Sequence, residues 1–360
     1  MGLNLIIKAM AVLIVTVFYP YEMAWSLPFH TPKKHLSTRR GDQTKIKGIS
    51  LVAPPEPFRI NPFQEIESIG AEWVSIVPYA FARKGSPVLH YDTPIQWWGE
   101  RPNGVVASIR KAHENGLKVM LKPHVYIPDG WVGDLHFDTE SDWLKWEEGY
   151  RNYVLKMASI AAEEQVELLC FATEFKHSIL KRSAFWNSLI LEVRKQYPGL
   201  LTFSANWDYF EEIPFWDQMD LIGVSAYFPL SQNRLPTVNH LRKRWKTTRR
   251  RLKTISAKYH KKVLFTEYGY LSVDYATKGH WILEPNIKRY AVNEGAQANA
   301  LEALYRAFWE SQWWAGGFLW KWYPNDLTYT GFPADKDYTP QGKMAIETIK
   351  KWYKYEGNTR

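Results

Sequence analysis

The 360-residue sequence contains a single cysteine, Cys170. That excludes a disulfide framework and any cysteine-built zinc or iron–sulfur site. Its histidines form no His-x-His or His-Glu-x-x-His pattern, and His124, His136 and His177 lack ligand-like spacing. Asp134, Asp138 and Asp142 are regularly spaced, but the glycine and closing glutamate of a calcium loop are missing. They read as a solvated turn and a helix start. No Gly-x-Ser-x-Gly elbow occurs, and Cys170 sits inside an apolar run, so neither a serine nor a cysteine nucleophile is supported. Solenoid repeats and low-complexity tracts are also lacking. No metal or cofactor is expected.

What is abundant is aromatic surface. The chain has 18 Trp, 21 Tyr and 17 Phe. A core does not need so many indoles, because each buried N–H must find a partner. Broad aromatic faces suit sugar rings or bases. The net charge of +9 permits a polyanionic partner, nucleic acid or acidic polysaccharide. The positive charges are local, however: Arg242–Arg244 and Arg249–Lys253 fall on one expected helix, and Lys33, Lys34, Arg39 and Arg40 in a linker. They read as a solvated helix face or a functional patch, and no nucleic-acid motif accompanies them.

Met1–Lys8 is positively charged, Ala9–Phe18 is almost wholly apolar, and Ala24-Trp25-Ser26 offers small residues for cleavage. Residues 1–26 therefore read as a signal peptide, or as an uncleaved anchor, since the run is short for a membrane span. Either way the protein is expected to be secreted, periplasmic or on the cell surface. Residues 27–44, polar and basic with Pro28 and Pro32, read as a linker, and 45–355 as one catalytic domain.

That domain alternates short apolar runs with helical stretches. The runs are Ile46–Val52, Trp73–Tyr79, Leu117–His124, Glu167–Glu174, Leu200–Asn206, Asp220–Ala226, Val263–Tyr268 and Gly317–Lys321. Most are continuous rather than alternating, as for strands buried on both faces of a parallel sheet. Helices are expected over Gly104–Asn115, Asp142–Glu164 (capped by Ser141 or Asp142), Ala184–Gln196, Val238–Tyr259, Glu294–Gln312 and Gln341–Tyr353. Pro214 leaves little room for a helix between the fifth and sixth strands. A doubly wound sheet would want a glycine-rich turn after its first strand, where this chain has Val52-Ala53-Pro54-Pro55. Eight such units point to an α/β chain folded as a (β/α)₈ TIM barrel. A barrel closes its own sheet, so a monomer is expected.

Barrel chemistry belongs at the C-terminal ends of the strands. Two runs carry a glutamate at their ends: Glu174 closes the fourth, and Glu267, beside the final Tyr268, lies at the end of the seventh. Either alone could be structural, paired with Lys122 or Lys321. Together, facing across the mouth, two carboxyls can approach within about 5–5.5 Å, the separation a retaining glycosidase uses. Aromatic and polar residues end other strands. Trp320 can stack under a sugar, and Tyr79, Trp207 and Trp322, with Trp97 and Trp98, can line adjacent subsites or pack in core and loops. Tyr227 can hydrogen-bond the nucleophile or cap a buried loop. Asn206, Lys122 and His124 can bind hydroxyls, though His124 can equally be a satisfied core histidine.

The pattern resembles glycoside hydrolase family 113, in the large clan A of retaining enzymes. The resemblance is carried by Leu121-Lys-Pro-His124, Phe171-Ala-Thr-Glu174-Phe, Ser204-Ala-Asn-Trp-Asp208, Gly223-Val-Ser-Ala-Tyr-Phe-Pro229, Phe265-Thr-Glu267-Tyr-Gly-Tyr270 and Gly316-Gly-Phe-Leu-Trp-Lys-Trp322, with Tyr338-Thr-Pro-Gln-Gly-Lys343 closing the chain. It implies a β-mannanase-like glycosidase with Glu174 as acid/base, Glu267 as nucleophile, Tyr227 as its hydrogen-bond partner and Trp320 as the platform of the central subsite. The sequence departs from the clan at Thr173, where most members place Asn, and at Ser225, where many relatives are acidic. The resulting expectation is a retaining glycoside hydrolase acting on a β-linked polysaccharide or oligosaccharide, β-mannan first, with neither a nucleic-acid partner nor a membrane contact beyond an N-terminal anchor. The rivals are a carbohydrate-binding barrel without catalysis and a basic polyanion-binding surface protein.

Overall fold

The computed structural model describes residues 45–128, 130–324 and 334–355. The leader and linker expected over residues 1–44 lie outside them. Eight parallel strands close a barrel: β1 (Ile46–Leu51), β2 (Trp73–Ile76), β3 (Lys118–Leu121), β4 (Leu168–Thr173), β5 (Leu200–Asn206), β6 (Ile222–Ser225), β7 (Val263–Tyr268) and β8 (Trp314–Trp322). Each pairs with its sequence neighbour, and β1 closes the ring against both β2 and β8, with Ile49 opposite Val74 on one side and Leu319 on the other.

Alternation within the strands builds two apolar layers. Leu169 and Phe171 join the helices in the outer core. Leu168 and Cys170 pack with Ile46, Trp73, Met120, Leu264 and Phe318 in a cluster made almost entirely of strand residues, the barrel interior. Because both faces of each strand are covered, the runs carry few polar positions. Gly48 is required here: a β-carbon on it would lie 2.4 Å from the Phe318 ring that fills the barrel.

The outer ring is formed by α1 (Pro62–Ser68), α2 (Pro102–Glu114), α3 (Glu140–Glu163), α4 (Ser183–Gln196), α5 (Val238–Tyr259), α6 (Glu294–Phe308) and α7 (Ala345–Tyr353). Helix α3 is capped by Thr139, which accepts from the Asp142 amide at 3.1 Å, rather than by Ser141 or Asp142. The helix begins two residues earlier than expected, with Glu140 and Asp142 in the first turn where its dipole favours acid. Helix α5 buries Leu241, Trp245, Leu252 and Ile255. Three of its arginines tie it down: Arg251 pairs with Glu211, Arg249 donates to Ser311 and Arg244 to the Leu230 carbonyl. Between β5 and β6 there are only single 3₁₀ turns, Phe210–Glu212 and Trp216–Gln218.

The second and third strands stop short of their expected ends. Pro78 and Pro123 lack the N–H that a ladder needs, so β2 ends at Ile76 and β3 at Leu121. The chain resumes beyond each proline in a small separate sheet, where Tyr79–Ala82 pairs in parallel with His124–Tyr126 and antiparallel with Leu89–His90. This sheet forms one wall of the barrel mouth. Among the described residues, no helix is long and apolar enough to cross a membrane.

Candidate active site

Glu174 is the first residue past β4. Its backbone is left-handed, with φ of +61°, a conformation costly for a side chain of this size. It is held there by two backbone bonds, from its own amide to the Ser204 carbonyl and from the Lys176 amide to its carbonyl, both 2.8 Å. Trp131 Nε1 donates to Glu174 Oε2 at 2.7 Å. Glu267 lies on β7 at a register shift against β6, between Phe265 and Glu267. Such a bulge re-aims a side chain, and here the carboxylate joins Glu174 in lining one cleft at the C-terminal mouth.

The two carboxyls live in opposite fields. Burial alone would raise the pKa of Glu267. The adjacent Lys122 ammonium and the His124 ring more than offset this and hold it well below the usual carboxylate range. Lys122 is wholly shut from solvent and ion-paired with Glu267 Oε1. His124 Nε2 lies 3.2 Å from the same oxygen, and Tyr227 donates to Oε2 at 2.9 Å. Glu174 moves the other way: burial first, then the charge of Glu267, raise its pKa. Of the two, Glu174 is the carboxyl whose surroundings favour the proton, and Glu267 the one whose surroundings favour the charge. Carboxyls whose pKa values are pushed apart in this way are the arrangement that acid–base chemistry needs. His124 is driven towards neutrality by burial and by Lys122, and its ring lies parallel to Trp320, 6.5 Å between centroids.

Residues 60–343, well over half of the chain, match the model of Glycoside Hydrolase Family 113. The chain belongs to glycoside hydrolase family 113. It is therefore a glycoside hydrolase. Among solved structures it is similar to the family 113 β-mannanase of Alicyclobacillus acidocaldarius in complex with ManMIm, at 25% identity and a TM-score of 0.72, over 87% of this chain and 98% of that one. A family 113 β-1,4-mannanase is 26% identical, with a TM-score of 0.71 over 86% and 98%. The β-glucuronidase of Faecalibacterium prausnitzii, 13% identical with a TM-score of 0.55 over 86% of this chain and 48% of that one, shares the fold alone. A comparison with curated protein sequences gives no match.

In this family 113 chain the cleft gathers Tyr79, His124, Tyr227 and Trp320 around the two glutamates. Other expected residues stand elsewhere. Lys122, with no exposed surface, lies beneath Glu267 and presents nothing to a sugar. Trp322 is 1% exposed and packs in the core rather than in the mouth. A bulge explains this: Ser50 and Leu51 pair with Trp320 and Trp322, so Lys321 is the extra residue and the two indoles part company. Trp207 stacks on Trp281 at 5.1 Å, and neither it nor Asn206 lines this cleft. Trp98 packs edge-on against Phe58, and Trp97 stands 40% exposed away from the cleft. Sequence reasoning missed Trp131, from a loop, and His280 and Glu284, from a short helical turn, all of which line the cleft, and gave Tyr338 no role in it. The spacing of His280 and Glu284, four apart, was the available signal for one face of a helical turn. Among the described residues no cluster of His, Cys, Asp or Glu is placed to hold a metal.

Proposed function

We propose that this glycoside hydrolase cleaves β-1,4-linked mannan chains with retention of configuration, by double displacement. The observation that carries the mechanism is the opposed setting of Glu174 and Glu267 in one cleft. Glu267, kept ionised by Lys122 and oriented by Tyr227, attacks the anomeric carbon. Glu174 gives its proton to the departing glycosidic oxygen, and a covalent glycosyl ester forms on Glu267. Esterification removes the charge of Glu267, one of the two causes that raise Glu174. The pKa of Glu174 then falls back towards that of an ordinary carboxyl, so it ionises and can take a proton from water in the second step. Trp320 offers its face to the ring being cleaved. The mannan assignment rests on the family 113 β-mannanases, which span nearly this whole domain at 25–26% identity. The leader read over residues 1–26 supports action outside the cytoplasm.

The test is reducing-sugar release by the chain lacking residues 1–26, across neutral and acidic polysaccharides, beside Glu267→Ala. Release from β-1,4-mannan that disappears in the variant, with the β-anomer formed first by NMR, is the expected result. Initial formation of the α-anomer would overturn double displacement. Release from a different glycan alone would keep the glutamate pair and discard mannan.

A further inference from the structure

The two-carboxylate mechanism leaves a third carboxylate in the cleft unused. Glu284 lines it beside Glu267, Trp320 and Tyr338. It stands on the turn that follows Gly279, where a single helical turn, His280–Leu283, runs into a 3₁₀ segment. Leu283, fully buried with Leu271, Val273, Ile287 and Tyr338, anchors that turn. The Tyr338 hydroxyl donates to Glu284 Oε1, and burial together with Glu284 holds the Tyr338 phenol far above its ordinary pKa, so it remains a donor. His280, one turn earlier, lines the same wall with its ring 4.7 Å from Tyr227. Burial lowers its pKa, so it does not cancel the charge of Glu284. Its Nδ1, shut from solvent, has no hydrogen-bond partner among the described residues. Lys321 stands 3.5 Å from Asp337, an acid of its own.

From this arrangement we infer that Glu284, with His280 beside it, is a specificity site: it binds hydroxyls of a neutral sugar ring and excludes sugars that carry a carboxylate. The inference rests on the glycosidase reading of the cleft. A carboxylate fixed by one phenol keeps further acceptor positions for ring hydroxyls, and such charge-assisted bonds are among the stronger ones. The same charge repels a uronate placed against it, where like-charge juxtaposition inside a cleft is strongly unfavourable. A chain of net charge +9 would thus reject acidic glycans at its catalytic cleft, because Lys122 is already paired with Glu267 and Glu284 adds a further carboxylate to the wall.

The test uses the slowed variant Glu174→Gln, with and without Glu284→Gln, titrated calorimetrically with β-1,4-mannohexaose and with its C6-oxidised counterpart, the mannuronate hexamer. Gln keeps the shape and an acceptor for Tyr338 but removes the charge. Expected are binding of the neutral hexamer alone, about tenfold or more weaker after Glu284→Gln, and binding of the acidic hexamer gained in that variant. His280→Ala should weaken the neutral hexamer without admitting the acidic one. Equal binding of both hexamers before the Glu284 change, or neutral binding unchanged after it, overturns the inference. So does a fall in neutral binding matched by a fall in melting temperature, with the acidic hexamer still excluded. Wild-type turnover of mannohexaose, measured alongside, separates this from the mannan reading: cleavage with unaltered affinity in Glu284→Gln sinks the specificity site alone, and no binding of either hexamer by folded protein sinks both.

Discussion

The ammonium of Lys122 is buried beneath the mouth of the barrel and ion-paired with Oε1 of Glu267, on the opposite side of the ring. Neither group tolerates burial alone, since an unpaired charge in an apolar interior is expelled or neutralised. The pair therefore fixes Glu267 as the ionised member of the cleft. Glu267 has its pKa depressed in the fold, so the ionised form persists as pH falls and activity is lost only below the ordinary carboxylate range. Lys122→Met removes the cation and leaves burial unopposed, so the Glu267 pKa rises. We expect the acidic limb of the kcat/KM profile to move up, with activity lost at pH values where the wild type is still fully active. A variant that lost thermal stability while keeping the wild-type acidic limb would show Lys122 to be only a strut.

Trp131 acts on the other carboxyl. Its indole N–H donates to Glu174 Oε2 at 2.7 Å, and a donor to a carboxylate favours the ionised form. Trp131→Phe keeps the ring and removes the donor. The Glu174 pKa, already raised, should rise further, and the basic limb of the pH profile should shift upward. In the proposed double displacement Glu174 is a base only in the second step, so hydrolysis of the glycosyl-enzyme should slow more than its formation. Pre-steady-state release of an aryl leaving group measures both rates, and an unchanged ratio would count against this role.

How far the site was legible follows from where its residues stand. The strands could be read because each is covered on both faces, which leaves continuous apolar runs such as Leu168–Thr173. Glu174 and Glu267 could be read because barrel chemistry sits at strand ends. Trp320 and Trp322 share a parity in sequence, and nothing in composition announces the bulge that separates them. Lys122 follows an apolar run as Glu174 does, so sequence leaves open whether it meets a glutamate or a sugar, and the closed ring decides for Glu267. Trp131 comes from a loop, and His280 and Glu284 from a helical turn too short for a period to show which way its residues face. Pro78 and Pro123 lie inside apolar runs and mark in the sequence where the second and third strands break.

Deleting the acid/base should leave a partial enzyme. Glu174→Ala has no proton to give, so mannan hydrolysis should fall by about 10²–10⁴-fold. An aryl mannoside with a strongly acidic phenol needs no such proton and should still form the glycosyl-enzyme, which then accumulates. Azide, small and already anionic, can attack the ester without base assistance. Added azide should restore turnover of the aryl substrate and yield the β-mannosyl azide. The α-azide, or no rescue with an intact burst, would remove Glu174 from the base role.

At the far C-terminus, three buried tyrosines tie α7 to the barrel. Tyr353 donates to the Gly48 carbonyl at 2.7 Å, and its hydroxyl lies 2.9 Å from that of Tyr268, itself 3.0 Å from that of Tyr305. The network joins β1, β7, α6 and α7 with every hydroxyl partnered, which is the condition for a buried polar cluster to stabilise rather than cost. Tyr353→Phe leaves the Gly48 carbonyl and the Tyr268 hydroxyl each one partner short. The expected loss is about 1–3 kcal/mol in denaturant unfolding, with kcat and KM unmoved, because the cluster touches neither glutamate. A shift in kcat at equal stability would instead tie this network to the position of Glu267, whose neighbour in sequence is Tyr268.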